Sequence, residues 1–487
     1  MVRDRPAMTT AMRTIQPTEL SAFELAAAIR LGELSSRDVV EAHIQVNERA
    51  GINAIVADRY EGARAEADAA DARIAADDNP PPLLGVPFTV KESIALAGMP
   101  HSAGLTARAE HRANETASAV QRLLDAGAIP LGVTNVSELT LWIEADNPVY
   151  GRTDNPYDPS RIVGGSSGGE GAAVGSGGSP FGVGTDIGGS IRFPAFCNGV
   201  FGHKCSPGVV PVTGQWPITA GDAAQLLALG PIARRATDLM PLLRLMAGPD
   251  GLDGASRGVE LGDPGDVALD GLDVIISESA WFVPVRREIR EVRERAAGAL
   301  AAAGAKVRRE ELRSMRRALE LYLAALQSGS SVSVAEILAE GGAEPLRLRA
   351  SLGRNRPHTW PLVITAMAER AGARAPEIQT RRALAAARSL TQEVIDTIGD
   401  GVLLHPPYAR RVPRHGTTLA QPWLITMQAV FNLLGLPATA VPMGLGRKGL
   451  PVGVQVAAGP DRDHVAIAVA IELERVFGGW VPPWRAG

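Results

Sequence analysis

The sequence predicts an α/β protein: a single α/β/α domain in which a mixed central sheet is covered by helices. Three observations predict it. Short apolar runs such as "LLGVPFTV", "AIPLGVTN" and "FGVGT" alternate with Ala/Leu/Val-rich helical segments, the pattern of strands buried on both faces. The chain has 487 residues, 45% of them hydrophobic and 21% charged, a balance that supports a large folded core. No internal repeat or low-complexity linker divides it, so residues 1–487 are expected to form one domain.

The elements follow in chain order. Ser21 with Glu24 and Ser35 with Asp38 have capping-box spacing, and each opens an amphipathic helix. The apolar run Ile52 to Val56 leads to a third helix, which the prolines of "DDNPPP" end because proline has no N–H to give. These N-terminal helices occupy residues 20–80. The core segment, 81–250, begins with the strand "GVPFTV" and Lys91 at its end. A helix from Thr116 to Asp125, capped by Gly127, then crosses to the strand "AIPLGVTN". Phe181 to Thr185 forms a further strand just before Ser190. Over 251–400 the composition shifts to Ala, Arg, Glu and Leu, with "LDVIISES" as a strand and "AAGALAAAGAKVRREEL" as helix, glycine cap and strand; this is a variable elaboration of the core. Residues 401–487 return to the core with the strands "GVLLHPP", "LPATAVPMGL" and "GLPVGVQVAAG" and the helix Asp463 to Val476.

Charge and cysteine usage narrow the partners. The net charge is −4 and no long Lys/Arg run occurs, which argues against nucleic acid. Arginines cluster in Arg286–Arg317 and Arg347–Arg356, and both clusters read as solvated faces. Cys197 and Cys205 are too few for a disulfide framework and read as small buried residues in a reducing compartment. The N-terminal stretch lacks a signal-peptide core, and nowhere do about 18 consecutive apolar residues occur. A cytoplasmic protein is expected, with peripheral membrane contact left open.

Gly164 to Ser190 holds 12 glycines in 27 residues. Its apolar runs, Ala172–Val174 and Phe181–Val183, exclude a flexible linker. A phosphate cradle fails because no lysine lies between Lys91 and Lys204, and the dinucleotide fingerprint lacks its strand and its acid. No nucleotide or metal cofactor is expected. What remains is a serine, Ser190, behind residues so small that backbone amides can turn towards the space beside its hydroxyl, as an oxyanion hole requires. The hydroxyl also needs a base. Of eight histidines only His203 lies close in sequence, and no G-x-S-x-G elbow surrounds Ser190. Lys91 is the better candidate, since burial at the end of an apolar strand lowers a lysine's pKa. On the residues alone, a lysine that reaches the surface at a strand end remains the alternative.

The stretch "GGSSGGEGAAVGSGGSPFGVGTDIGGSIRFP" resembles the amidase signature of the Ser-cisSer-Lys amidohydrolases, and "GVPFTVKES" resembles the segment that carries that family's lysine. The spacings agree, 75 residues from Lys91 to Ser166 and 24 from Ser166 to Ser190. Pieces such as "YGRTDNPYD", "FPAFCNGVFGHKCSPGVVP" and "GLPVGVQVAAGPDRDH" resemble the fatty acid amide hydrolase 2-like amidases within the family. The resemblance implies the amidase-signature fold and hydrolysis of a carboxylic amide, fatty or aryl, to acid and amine through a seryl-acyl enzyme. It makes Ser190 the nucleophile, Ser166 a bridging serine behind a cis peptide from Gly165, and Lys91 the general base. The amides of Ile187, Gly188, Gly189 and Ser190 become the oxyanion hole, and Asp186 with Arg192 a buried bracing pair.

The fatty-amide resemblance implies by position that Thr140, Leu141 and Ile143 line the acyl channel, with core packing as the alternative. The segment "QPWLITMQAVFNLLG" reads as a pocket wall, a membrane-facing patch or the helix of a homodimer. The vertebrate members carry an N-terminal membrane segment that this sequence does not show. A rival within the same signature is the glutaminase subunit of a tRNA-dependent amidotransferase. A non-catalytic binding scaffold is disfavoured by the presence of Lys91, Ser166 and Ser190 together.

Overall fold

The computed structural model describes residues 16–76, 79–218, 221–277, 284–329, 332–346, 357–372 and 376–486. The Arg347–Arg356 cluster and most of the N-terminal stretch lie outside them. The strands are β1 (Ile55–Asp58), β2 (Pro87–Lys91), β3 (Ile129–Thr134), the short pair β4 (Asp146–Asn147) and β5 (Gly151–Arg152), β6 (Phe181–Asp186), β7 (Phe201–Lys204), β8 (Ala228–Ala233), β9 (Asp273–Ile276), β10 (Lys306–Arg309), β11 (Val402–His405), β12 (Ala438–Leu445) and β13 (Pro451–Ala458). Eleven of them form one sheet in the order β1-β3-β2-β6-β8-β7-β12-β13-β11-β9-β10, with β4 and β5 apart.

The sheet is mixed. β3, β2 and β6 run parallel, as do β11, β9 and β10, while the pairs from β6 through to β11 are antiparallel. The crossover from β2 to β3 uses the helix Ser118–Asp125. This helix starts two residues later than Thr116 because the Thr116 hydroxyl accepts the Ala97 N–H (3.2 Å) rather than capping the helix. Ser21 and Glu24 form the full reciprocal capping box. Ser35 caps its helix by accepting from the Asp38 N–H (3.0 Å), while the return bond from the Asp38 carboxylate is absent among the described residues.

Strands from every part of the chain enter the same sheet, including β9 and β10 from the Ala/Arg/Glu-rich segment. Phe88 on β2 stacks on Phe181 on β6, ring centroids 5.2 Å apart, under the part of the sheet that carries Lys91. Cys197 and Cys205 are buried and unpaired. Among the described residues no single helix is long and apolar enough to cross a membrane.

The segment "QPWLITMQAVFNLLG" folds into a 3-10 turn, Pro422–Ile425, and the helix Thr426–Leu433. Thr426 to Asn432 are buried within the chain, while Gln421, Pro422, Trp423, Ile425 and Leu433 are half-buried.

Candidate active site

Three local structures deliver the polar side chains to one point of the sheet. Lys91 ends β2, fully buried, and its Nζ donates to Ser166 Oγ (2.7 Å) and to Thr185 Oγ1 on β6 (2.7 Å). Burial pushes the Lys91 ammonium down from the ordinary lysine value to about 7, against the opposing charges of Asp186, Glu170 and Glu92. Ser166 follows a cis peptide bond from Gly165 and lies just before the helix Gly168–Gly175. Ser190 lies between β6 and the helix Arg192–Asn198. Its hydroxyl has no hydrogen-bond partner among the described residues, and the residue is 7% exposed. The Ser167 N–H donates to the Ser190 carbonyl (3.2 Å), which ties the two serine-bearing loops together.

The turn from Asp186 to Ser190 is set by one carboxylate. Asp186 accepts from the Gly189 N–H (2.7 Å) and the Ile191 N–H (3.2 Å), and pairs with both Nε and Nη2 of Arg192 at 3.0 Å. Asn432 donates to the same carboxylate (2.9 Å) and accepts from Arg192 (2.7 Å). Burial alone would raise the Asp186 pKa, but the Arg192 charge and these hydrogen bonds hold it well below the usual carboxylate range. Both partners are completely buried, so removing one leaves the other charge uncompensated. Arg192→Leu is expected to cost about 3–5 kcal/mol of folding stability, read by urea unfolding.

This geometry corrects one detail of the expected oxyanion hole. The Gly189 N–H is committed to Asp186, so it faces the carboxylate and not the space beside Ser190. The N–H groups of Ile187, Gly188 and Ser190 have no acceptor among the described residues. Gly189 has φ +115°, and a Cβ there would lie 2.0 Å from Gln428 Oε1, so only glycine fits.

Beneath Lys91 lies an acid that sequence reasoning passed over. Glu170, on the helix Gly168–Gly175, is fully buried and accepts from Thr89 Oγ1 (2.6 Å) and Thr134 Oγ1 (2.8 Å). Burial raises its pKa to about 8, although both threonine hydrogen bonds and the Lys91 charge pull the other way. Room for it comes from Gly182, where a Cβ would sit 1.7 Å from the carboxylate. Gly182→Ala is therefore expected to displace Glu170 and cost about 2–4 kcal/mol of stability, measurable by thermal or urea unfolding. An acid inside an otherwise Gly/Ala/Val helix was the available signal.

The other expected residues fall in several places. Thr140 and Leu141 are part-buried, and Leu141 packs against a satellite cluster containing Leu105, Trp216 and Leu338. Ile143 is 5% exposed in the main core, and what it offers the catalytic loop is backbone: its carbonyl carbon lies 2.7 Å from a Cβ built on Gly165. His203 is taken up by Asp463 (3.0 Å) and Thr439 (2.9 Å). Tyr322, from the Ala/Arg/Glu-rich segment, donates to the Ile187 carbonyl (3.0 Å) and joins Ile187, Ile425 and Ala429 in an apolar cluster. No sequence signal connects it to the site, since 135 residues separate the two partners.

The chain compares closely with known proteins. The amidase family profile matches residues 38–466. Human fatty-acid amide hydrolase 2 is 40% identical, over 96% of this chain and 90% of that protein. The indoleacetamide hydrolase of Bradyrhizobium diazoefficiens is 30% identical, over 94% of this chain and 86% of its own length. The crystal structure of a bacterial aryl acylamidase of the amidase signature family superposes with a TM-score of 0.80 at 26% identity, covering 94% of this chain and 96% of that one. A buried lysine bonded to a serine, a second serine behind glycines and a profile match across most of the sequence lead to one assignment: the chain belongs to the amidase family.

Proposed function

We propose that the protein hydrolyses a carboxylic amide with an apolar acyl group, fatty or aryl, through an acyl-enzyme on Ser190. The 2.7 Å bond from Lys91 Nζ to Ser166 Oγ carries this reading, because it joins a desolvated amine to a serine whose loop is tied to Ser190. Ser190 Oγ attacks the amide carbon while its proton passes to Ser166, whose own proton passes to the neutral Lys91 amine. The N–H groups of Ile187, Gly188 and Ser190 receive the charge on the carbonyl oxygen, each such donor being worth about 3 kcal/mol. The Lys91 ammonium then returns a proton through Ser166 to the departing nitrogen, so that an amine rather than an amide anion leaves. Water, activated by the same relay, attacks the ester on Ser190 and releases the acid.

The apolar acyl group is supported by the wall that meets the oxyanion turn. Ile187 packs with Tyr322 and Ile425, and a Cβ on Gly188 would meet the Tyr322 hydroxyl (2.9 Å) and Cζ (3.5 Å) and then Ile425 Cδ1 (3.6 Å). Hydrolysis rates over a panel of primary amides and anilides of graded acyl length test this directly. A rate that rises with apolar acyl size is expected. Preference for glutamine would instead favour the glutaminase reading.

A further inference from the structure

A cavity of about 550 Å³ opens between the start of the helix Arg287–Ala302, the stretch Tyr408–Thr417, Arg161 and the turn at Arg447. None of Lys91, Ser166 and Ser190 lines it. Seven arginines and two glutamates do. Both carboxylates are already engaged: Glu291 by Arg287 (2.6 Å), and Glu288 by the Arg411 side chain and the Arg447 N–H (2.7 Å). The side chains of Arg286, Arg410, Arg414 and Arg447 have no carboxylate partner among the described residues. The Nε of Arg410 is buried with no hydrogen-bond partner among the described residues. The helix that begins here has no side-chain cap, so its positive end adds to the same field.

Four guanidiniums with no carboxylate partner among the described residues repel each other around one concavity, and a buried unmatched N–H is destabilising. A multiply charged anion removes both penalties at once. The volume is that of a small-molecule site, and planar guanidiniums match the oxygen pairs of phosphate. We propose that this cavity binds an anion bearing two or more phosphate charges, either a free organic phosphate or a phospholipid headgroup. The wall made by Arg161 is continuous with the site: the Arg161 and Arg414 backbones form an isolated antiparallel β-bridge, the Ile162 N–H donates to the Pro413 carbonyl (3.1 Å), and the chain then runs into Gly165–Ser166. The inference does not depend on which amide the enzyme cleaves.

Titration calorimetry of the full chain with inorganic pyrophosphate at low ionic strength tests it, beside sedimentation with phosphatidylcholine vesicles with and without phosphatidic acid. Saturable pyrophosphate binding, weakened about tenfold or more in R286Q/R410Q/R447Q and falling with added salt, is expected for a free phosphate ligand. Binding only to the phosphatidic acid vesicles, lost in the same variant, identifies a lipid headgroup. If the triple variant does not fold, Arg286→Gln and Arg447→Gln, both exposed, serve singly. Absence of binding to either probe, or binding in the folded variants equal to that of the natural chain, overturns the proposal.

Discussion

Replacing Ser190 by alanine is expected to lower amide hydrolysis by at least about 10⁴-fold and to abolish covalent labelling by a fluorophosphonate. The variant should remain folded, because the Ser190 hydroxyl has no hydrogen-bond partner to lose among the described residues and the Asp186–Arg192 brace does not use it. The residual rate should reflect binding and the oxyanion donors alone. Full activity, or labelling that persists at unchanged stoichiometry, would assign the nucleophile elsewhere. The partner experiment is intact mass spectrometry during turnover of a slow amide, which should show the acyl group on the natural chain and none on Ser190→Ala.

Lys91→Ala should have the second largest effect, about 10²- to 10⁴-fold on amide hydrolysis, the range of a general acid–base group. The loss should be smaller for esters, whose leaving oxygen needs less help from a proton donor than an amine nitrogen does. The pH profile separates catalysis from structure. Lys91 acts as a base only when neutral, and burial places its folded pKa at about 7, so kcat/KM should fall about tenfold per pH unit below that value and level off above it. Lys91→Ala should lose this acid limb while keeping its low plateau. An unchanged limb in the variant would show that another group titrates. Glu170, whose pKa burial raises to about 8, is another buried acid whose charge acts on Lys91, and Glu170→Gln should move the Lys91 limb without removing it.

Much of the site was legible in the sequence because its parts are local. A glycine-dense stretch reports where backbone must approach other groups closely, and Gly182 and Gly189 are such positions, each with a neighbouring oxygen within 2.0 Å of where a Cβ would stand. An apolar run ending in lysine reports a buried amine, which is what β2 delivers. Strand and helix segments read well for the same reason, since periodicity and caps are properties of neighbours in the chain.

The tertiary structure decided what depends on distant partners. The strand order is far from the chain order, so Lys91 meets Thr185 across 94 residues and Arg192 meets Asn432 across 240. Only that assembly shows that the Asp186 carboxylate takes the Gly189 N–H, while those of Ile187, Gly188 and Ser190 have no acceptor among the described residues. It alone places Glu170 on Thr89 and Thr134, and Tyr322 on the oxyanion turn. The sequence by itself determined which groups are candidates to react, because side-chain chemistry and backbone freedom are carried residue by residue. Their protonation and their free hydrogen-bonding capacity were decided by burial and by partners that folding alone brings together.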